Sequence, residues 1–422
     1  MTKISDINDA RVISKKIDEC RICKSSDLKE ILDLGSQPPA NSLRNTLTDP
    51  LKLAPLTICR CENCALVQLT ETLEPGYLFS EYLWVTGTSG TAKDYSEIFC
   101  DRTLSRTDNQ KELFVLEIAS NDGTFLQPFK NKGHRVLGVD PAKNLGKISN
   151  EAGITTYIDF FGLNVSKKIV ENYGYVDIIF ARNVISHADN AHDVVAGIAN
   201  SLKDDGVGVI EFHRADVILE ELQYDSIYHE HLFYHSLKSI NILIENFGLN
   251  IFDISESPIS GGSFVIYFSK KPRNKSLKYK KALGREETLN SNSLAKWMEF
   301  ASRCKKHKEK LNRMVSEELS QGKNLIGFGA SARSATLLNF CRLNNSHVKM
   351  IADNNTLKHN KFTPGSNIEI ASPSKAFSLR PDTILLLAWN FKDEIINSLK
   401  TVHNFRGHII IPLPSQPVKI SI

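Results

Sequence analysis

Residues 113–140 contain the pattern that most narrows what this chain can fold into. Phe114–Ile118 is a short apolar run, typical of a buried parallel strand, and small or turn-forming residues follow at 119–123. A helix is predicted over 124–130, and a second apolar run at 136–139 ends in Asp140. A strand, a tight turn, a helix and a second strand that ends in an acid indicate a nucleotide-cofactor unit.

The turn itself indicates which cofactor binds. A dinucleotide site needs G-x-G-x-x-G, but residues 119–123 read A-S-N-D-G, and Glu117 precedes them. An acid at that place suits a cation such as the ammonium of a methionine moiety, and Asp140 can accept hydrogen bonds from ribose hydroxyls. S-adenosylmethionine (SAM) is therefore the predicted cofactor; the alternative is a strand-turn-helix without a ligand. The predicted cofactor residues are Glu117, Ala119, Ser120, Asn121, Gly123, Asp140, Pro141, Phe160 and Asn183.

Five of the eight cysteines lie before residue 65. The pairs Cys20/Cys23 and Cys61/Cys64 are both C-x-x-C knuckles, and two knuckles supply four sulfur ligands for a structural zinc ion. Cys59 is a fifth candidate, but C-x-C would not place its thiolate as the first knuckle does. The alternative for all of them is buried structural thiols.

Strand and helix patterns alternate from residue 113 to about 270 and return after residue 324. The fold class is therefore predicted as α/β: a small zinc-binding amino-terminal module over 1–76, a Rossmann-like SAM methyltransferase sheet over 77–270, and a Rossmann-like domain with connecting helices over 271–422. In the last domain, the turn at 329–334 is followed by a strand that ends at Asp353, so its amides and Arg333 could hold a diphosphate. The predicted substrate-binding residues there are Arg333, Ala330, Ser331, Thr336 and Asn339.

Residues 224–235 contain three histidines, a glutamate and three tyrosines. Histidine titrates near neutral pH and can act as a general base, a carboxylate can orient it, and a tyrosine hydroxyl can bond a developing oxyanion. Metal ligation by His229 and His231, and a purely structural role, are the two alternatives.

Charge and hydropathy exclude several classes of partner. The net charge is only +4, and basic residues do not alternate with aromatics as on a nucleic-acid face. No run approaches a membrane span, and the first residues lack a secretory signal, so we expect a cytoplasmic protein without nucleic-acid or membrane partners. We expect a monomer or a weak homo-oligomer.

With these residues described, the chain resembles the sugar C-methyltransferases that act on nucleotide-linked ketodeoxysugars. The similarity covers about residues 18–420. It rests on C-R-I-C, L-D-L-G-S-Q-P-P-A-N, C-E-N-C-A-L-V-Q-L, L-E-I-A-S-N-D-G-T, L-G-V-D-P, R-N-V-I-S-H, Y-D-S-I-Y-H-E-H, S-G-G-S, G-F-G-A-S-A-R and L-L-L-A-W-N-F-K-D-E-I. The resemblance implies methylation at a sugar carbon next to a ketone, with a nucleotide-linked ketodeoxysugar as substrate.

The resemblance also implies roles for individual residues. His231 looks like the base, with Glu230 and Tyr228 supporting it, and His187 and Tyr82 look like groups that hold the keto oxygen or enolate. Several positions depart from the family's usual pattern, among them Ala119, Trp84, Ser260 and the turn that carries Ser331, Arg333 and Ser334. Because of these departures, the sequence does not determine which sugar and which nucleotide the substrate contains. Methyl transfer to oxygen or nitrogen, and a non-catalytic SAM-binding module, are the competing readings.

Overall fold

The computed structural model describes residues 14–74, 76, 78, 85–107, 112–257 and 261–422. Three sheet-based parts follow one another along the chain, in the order that the sequence predicts. Tyr82, Trp84 and Ser260 lie outside the described residues, so the prediction for Tyr82 is not addressed by the structure. None of the described helices combines the length and the apolar character that crossing a bilayer requires.

The amino-terminal module is built on antiparallel strands. Its strands are β1 (Ser14–Lys16), β2 (Leu28–Gln37), β3 (Ala54–Cys61), β4 (Val67–Leu69) and β5 (Glu71–Leu73). β1 pairs with β5, and β2, β3 and β4 form a sheet. The fourth strand of that sheet, β11 (Phe233–Tyr234), comes from the central part of the chain and pairs with β4. The central part therefore contributes a strand to the zinc-binding module.

The central unit is a seven-stranded sheet with helices around it. Its strands are β6 (Phe114–Ile118), β7 (Arg135–Val139), β8 (Thr156–Tyr157), β9 (Val176–Arg182), β10 (Leu202–His213), β12 (Asn250–Ser257) and β13 (Ser263–Ser269). Its helices are α1 (Gly90–Leu104), α2 (Gln127–Asn131), α3 (Lys143–Glu151), α4 (Leu163–Tyr173), α5 (Ala191–Ser201), α6 (Ala215–Glu220) and α7 (Leu237–Glu245).

The strand order in the central sheet is β12-β13-β10-β9-β6-β7-β8. Strands β6 to β10 are parallel, and β13 runs antiparallel between β10 and β12. The chain moves from β6 to β7 on one side and to β9 on the other, which leaves a crevice beyond the carboxyl ends of β6 and β9 where ligands of such sheets bind. Helix α2 begins three residues later than the sequence predicts, because Gly123 adopts a left-handed φ of 81° and residues 122–126 form turns first.

Two helices, α8 (Leu277–Thr288) and α9 (Leu294–Ser320), lead to the carboxyl-terminal unit. Its sheet has the order β16-β17-β15-β14-β18-β19-β20, in which the two outer strands are antiparallel to the rest. The strands are β14 (Leu325–Phe328), β15 (Ile351–Ala352), β16 (Lys361–Phe362), β17 (Glu369–Ala371), β18 (Thr383–Leu386), β19 (His408–Ile411) and β20 (Val418–Ser421). The helices are α10 (Ala332–Cys341), α11 (Pro373–Phe377) and α12 (Lys392–Thr401). This second Rossmann-like sheet agrees with the predicted fold class.

Candidate active site

The cofactor loop, residues 119–123, leaves the carboxyl end of β6 in an unusual conformation. Ala119, Asn121 and Gly123 have left-handed φ angles of 52°, 53° and 81°. The amide of Asn121 donates to Oδ2 of Asp140 at 2.8 Å, and the amide of Ala142 donates to Oδ1 of the same carboxylate at 2.8 Å. Asp140 therefore fixes the loop against the end of β7. Each of its oxygens keeps a second lone pair that a ribose hydroxyl can use.

The turn at 86–88 packs directly on the cofactor loop. The amide of Thr86 donates to Oδ1 of Asn121 at 3.0 Å, and the amide of Gly87 donates to Oδ2 of Asp122 at 2.8 Å. A Cβ at position 87 would lie 2.6 Å from that carboxylate oxygen, so a larger residue there would displace the side chain of Asp122.

Glu117 carries a buried carboxylate next to the loop. Its Oε2 has no hydrogen-bond partner among the residues that the structure describes, and the side chain is buried. Burial raises the pKa of Glu117 well above its ordinary value, and the guanidinium of Arg182 opposes that shift. Arg182 is itself paired with Glu211, its Nε lying 2.8 Å from Oε2. A buried acid with an unused oxygen fits the ammonium group of SAM.

The other predicted cofactor residues surround the same crevice. Asp140 and Pro141 follow β7, and the ring of Phe160, half-exposed at 50%, follows β8. Asn183 follows β9 with a left-handed φ of 54°, and its amide donates to the carbonyl of Glu211 at 2.8 Å. These positions lie at the carboxyl ends of neighbouring strands, as the sequence predicts for a SAM site.

The histidine segment, residues 224–231, carries the candidate base. Nδ1 of His231 lies 2.9 Å from the carbonyl oxygen of Ser226, and Nε2 lies 2.6 Å from the hydroxyl of Tyr228. Because a carbonyl only accepts, Nδ1 carries the proton and the hydroxyl donates to the lone pair of Nε2. Both side chains are partly exposed.

His187 packs edge-on against His231, with ring centroids 4.8 Å apart. Burial, followed by the proximity of His187, lowers the pKa of His231 well below its usual range. Burial lowers the pKa of His187 to about 4, and a hydrogen bond to the backbone of Glu230 opposes this shift. Both imidazoles are therefore neutral at pH 7, and the single N–H of His187 is used by the backbone of Glu230.

The residues between Tyr228 and His231 point to the amino-terminal module. Nε2 of His229 lies 3.2 Å from the carbonyl oxygen of Ala54, and the carboxylate of Glu230 accepts from the side chain of Asn41 at 2.6 Å. Burial raises the pKa of Glu230 to about 7. Glu230 is thus directed to Asn41 and the module, whereas the sequence predicts a role beside the imidazole of His231.

The zinc-binding module also holds the histidine segment through backbone bonds. The amide of Leu232 donates to the carbonyl of Ser186, next to His187, at 2.7 Å, and its carbonyl accepts from the amide of Leu69 at 3.0 Å. One residue thus ties together the loops of both histidines and strand β4.

The four predicted zinc ligands are brought together. The sulfur atoms of Cys20, Cys23, Cys61 and Cys64 all lie within 4.8 Å of one another. Among the described residues this is the one set of potential ligands close enough to share an ion, and it includes neither Cys59 nor the pair His229 and His231.

The two knuckles have the same backbone geometry. The amides of Cys20 and Cys61 donate to the carbonyls of Ser25 and Leu66, at 2.8 and 2.9 Å. Lys24 and Ala65, each directly after a knuckle, both have a φ of 61°. Four cysteine sulfurs on two matched knuckles suit a tetrahedral, closed, structural zinc site.

The predicted substrate residues lie where the carboxyl-terminal unit meets the rest of the chain. A small pocket there is lined by Asn41 of the amino-terminal module and by Ala330, Ser331 and Lys358 of the carboxyl-terminal unit. Thr336 donates to the carbonyl of Ile227 at 2.8 Å, and Asn339 donates to the carbonyls of Ala335 and Pro364 at 2.8 and 3.1 Å. The guanidinium of Arg333 lies against Asp225 and Gln223. The role of these residues in substrate binding stays a prediction.

Sequence reasoning missed three residues of this region: Asn41, Asp225 and Arg182. Each lies in a motif in which other residues were the predicted site residues or carried the family resemblance: L-D-L-G-S-Q-P-P-A-N, Y-D-S-I-Y-H-E-H and R-N-V-I-S-H. A polar residue in such a motif was the available signal, but its partner could not be read from the sequence.

Three protein-family models match successive parts of the chain. Their descriptions are "Putative zinc binding domain" over residues 20–79, "Methyltransferase domain" over residues 93–254 and "C-methyltransferase C-terminal domain" over residues 258–414. The curated protein C-methyltransferase NovU of Streptomyces niveus is 32% identical over 410 residues, which is 96% of this chain and 98% of that protein.

Two solved methyltransferase structures illustrate a weaker likeness. Magnesium protoporphyrin IX methyltransferase from Synechocystis PCC 6803 with bound SAM is 12% identical with a TM-score of 0.33, covering 43% of this chain and 80% of that chain. The CcbJ methyltransferase from Streptomyces caelestis is 13% identical with a TM-score of 0.35, covering 45% and 96%. The assignment follows from the family models and the curated relative: the chain belongs to the family of SAM-dependent C-methyltransferases that carry a zinc-binding domain.

Proposed function

We propose that the enzyme methylates a carbon next to the ketone of a nucleotide-diphosphate-linked deoxysugar, and that His231 is the general base. The observation that carries the proposal is the state of its imidazole: Nδ1–H is held by the carbonyl of Ser226, and the lone pair of Nε2 accepts from the hydroxyl of Tyr228 at a partly exposed position. A ring held in this tautomer presents a base and not an acid.

A carbon next to a ketone is acidic because its anion delocalises onto oxygen as an enolate. His231 would take the proton at Nε2, which requires the hydroxyl of Tyr228 to leave that lone pair as substrate enters. The displaced hydroxyl then lies beside the carbon acid and can donate to the enolate oxygen. The ring of His187, 4.8 Å away between centroids, can be a second donor for that oxygen only if its single N–H leaves the backbone of Glu230. SAM, when bound through the cofactor loop and Glu117, supplies the methyl group.

The proposed nucleotide site is the place where Asn41 faces the turn at 329–334; the pocket there is small and would have to widen to admit a nucleotide. The amide and hydroxyl of Ser331 offer donors, whereas the amides of Ala330 and Ser334 are already bonded to Asp353 and to the hydroxyl of Ser331. Nζ of Lys358, which lies 2.7 Å from the carbonyl of Ala330 and 3.7 Å from Oδ2 of Asp353, offers a positive charge. The support for a nucleotide sugar is the turn at 329–334, the hydrogen bond from Thr336, in the helix that follows this turn, to the histidine segment, and the family resemblance of the motifs.

The test is solvent exchange in deuterated water. The enzyme is incubated with S-adenosylhomocysteine and a nucleoside-diphosphate 4-keto-6-deoxysugar, so that deprotonation is observed without methyl transfer. We expect deuterium at the carbon beside the ketone, and we expect His231→Asn to abolish that exchange while S-adenosylhomocysteine still binds. Exchange that persists in His231→Asn would remove His231 from the mechanism. Absence of exchange in the wild type, with a methyl group on oxygen or nitrogen of the product, would replace the proposal by O- or N-methyl transfer.

A further inference from the structure

A buried ion pair joins the carboxyl-terminal unit to the histidine segment. Nη2 of Arg333 lies 2.9 Å from Oδ1 of Asp225, and Nε lies 3.2 Å from Oδ2. The two nitrogens thus engage the two carboxylate oxygens as a fork, which is the strong and directional form of this pair. The side chain of Asp225 is 1% exposed and that of Arg333 is 13% exposed.

Two further side chains complete the surroundings of this pair. The indole Nε1–H of Trp389 donates to Oδ2 of Asp225 at 2.7 Å, and the guanidinium carbon of Arg333 lies 4.7 Å from the centre of the Trp389 ring system. Oε1 of Gln223 accepts from Nη2 of Arg333 at 2.8 Å. Asp225 therefore receives three donors from the carboxyl-terminal unit. Removing any of these donors leaves the negative charge of the buried Asp225 carboxylate with fewer stabilising hydrogen bonds.

Asp225 is one residue away from the group that orients His231. It lies in the helical turn Tyr224–Ser226, and the carbonyl of Ser226 accepts from Nδ1 of His231 at 2.9 Å. On the other side of Ser226, the hydroxyl of Thr336 donates to the carbonyl of Ile227 at 2.8 Å. The carboxyl-terminal unit thus holds the chain on both sides of the carbonyl that sets the tautomer and direction of His231.

We infer that Arg333 is a positioning residue for His231, acting through Asp225 and the carbonyl of Ser226, and is not a ligand of the substrate phosphates. The inference deepens the proposed function and rests on it for the role of His231 as base. The two roles of Arg333 give opposite kinetic results. A phosphate ligand acts on substrate binding, whereas a residue that orients the base acts on the chemical step.

The kinetic test compares Arg333→Gln with Lys375→Gln, which removes a surface lysine from an exposed ion pair with Glu369 in the same unit. We expect Arg333→Gln to lower kcat about 10²-fold, because the imidazole loses its near-attack position. We expect its KM, and the Kd of thymidine or uridine diphosphate alone, to change less than about threefold. Arg333→Lys keeps the charge but not the fork and should fall between. A large rise in KM and in the Kd of the nucleoside diphosphate, with kcat unchanged, would overturn the inference.

A spectroscopic readout separates this inference from the proposed function. Imidazole ¹⁵N shifts of histidine-labelled enzyme, with the His231 signals assigned through His231→Asn, report which nitrogen carries the proton. We expect the Nδ1–H form in the wild type and a mixture of both tautomers in Arg333→Gln and Asp225→Asn. Unchanged ¹⁵N chemical shifts of His231 in both variants would contradict a positioning role of Arg333, whatever the activity assays show about the base.

A variant with a smaller structural change distinguishes a loss of positioning from a loss of folding. Trp389→Phe keeps an aromatic ring beside Arg333 but deletes the Nε1–H donor to Asp225. We expect it to bind S-adenosylhomocysteine as the wild type does and to lose about tenfold in kcat. Wild-type kcat in this variant and in Arg333→Lys would contradict the inference.

Discussion

The side-chain amide of Asn41 donates a hydrogen bond to Oε1 of Glu230 at 2.6 Å. Asn41 belongs to the zinc-binding module and Glu230 to the histidine segment, next to His231. The other oxygen of Glu230 is buried without a hydrogen-bond partner among the described residues. The module thus supplies the carboxylate with only one donor, and burial raises the pKa of Glu230 to about 7.

This carboxylate should make the folding free energy depend on pH. The pKa of Glu230 is raised in the folded state, from 4.5 to about 7, so its stabilising contribution is present below pH 4.5 and is lost as the pH rises through 7. Glu230→Gln keeps an acceptor for Asn41 and removes the charge. We expect little gain in unfolding free energy at pH 5 and a gain of about 3 kcal/mol at pH 8.

Urea unfolding at the two pH values measures this difference. Glu97→Gln, at an exposed position on α1, is the matched control. A gain of equal size at pH 5 and pH 8 would show that Glu230 does not carry the raised pKa.

The sequence predicts the local parts of the site well and the long-range contacts poorly. The paired knuckles and the strand-turn-strand pattern of 113–140 are local, so Cys20, Cys64 and Asp140 could be placed from their own neighbours. β11 has two residues and no usable periodicity, so its pairing with β4 could not be predicted. The partners of Glu230 and Arg333 lie 189 and 108 residues away along the chain. Such contacts depend on how the three parts of the chain pack, which the local pattern does not encode.

The acid limb of the pH–rate profile should not show the pKa of an ordinary histidine, near 6.5. The pKa of His231 is lowered well below 6.5 by burial first and by His187 second, so the imidazole is already the free base at neutral pH. Glu230 titrates near pH 7 and is removed as a contributor in Glu230→Gln. At saturating SAM, so that the ionisation of Glu117 does not contribute, we expect kcat/KM of Glu230→Gln for the sugar substrate to be constant between about pH 6.5 and 8, because the essential base does not change its charge there. An inflection at or above pH 6.5 in that variant would contradict the neutral imidazole.

Loss of zinc should act on catalysis through the histidine segment. Cys23→Ala removes one of four ligands, while Cys59→Ala removes a buried thiol outside the cluster and should cost about 1 kcal/mol in stability. We expect Cys59→Ala to retain zinc and Cys23→Ala to lose it, as measured by metal analysis of the purified proteins. We also expect Cys23→Ala to lose methyl transfer by more than tenfold, because β4 and Asn41 then no longer hold Leu232 and Glu230. Full methyl transfer by a zinc-free Cys23→Ala enzyme would show that the module does not position this segment.

The unused oxygen of Glu117 should determine how SAM affinity responds to charge and to pH. A carboxylate–ammonium hydrogen bond contributes about 2 kcal/mol, so Glu117→Gln should weaken SAM binding about 30-fold. Binding of 5′-methylthioadenosine, which has no ammonium group, should not change.

Because burial raises the pKa of Glu117, and only the ionised form pairs with the ammonium, wild-type affinity for SAM should increase with pH as the carboxyl ionises. Titration calorimetry over a pH series measures this slope, and Glu112→Gln, at an exposed position just before β6, is the matched control. Equal losses of affinity for SAM and methylthioadenosine in Glu117→Gln, or a pH slope that persists in that variant, would place the ammonium elsewhere.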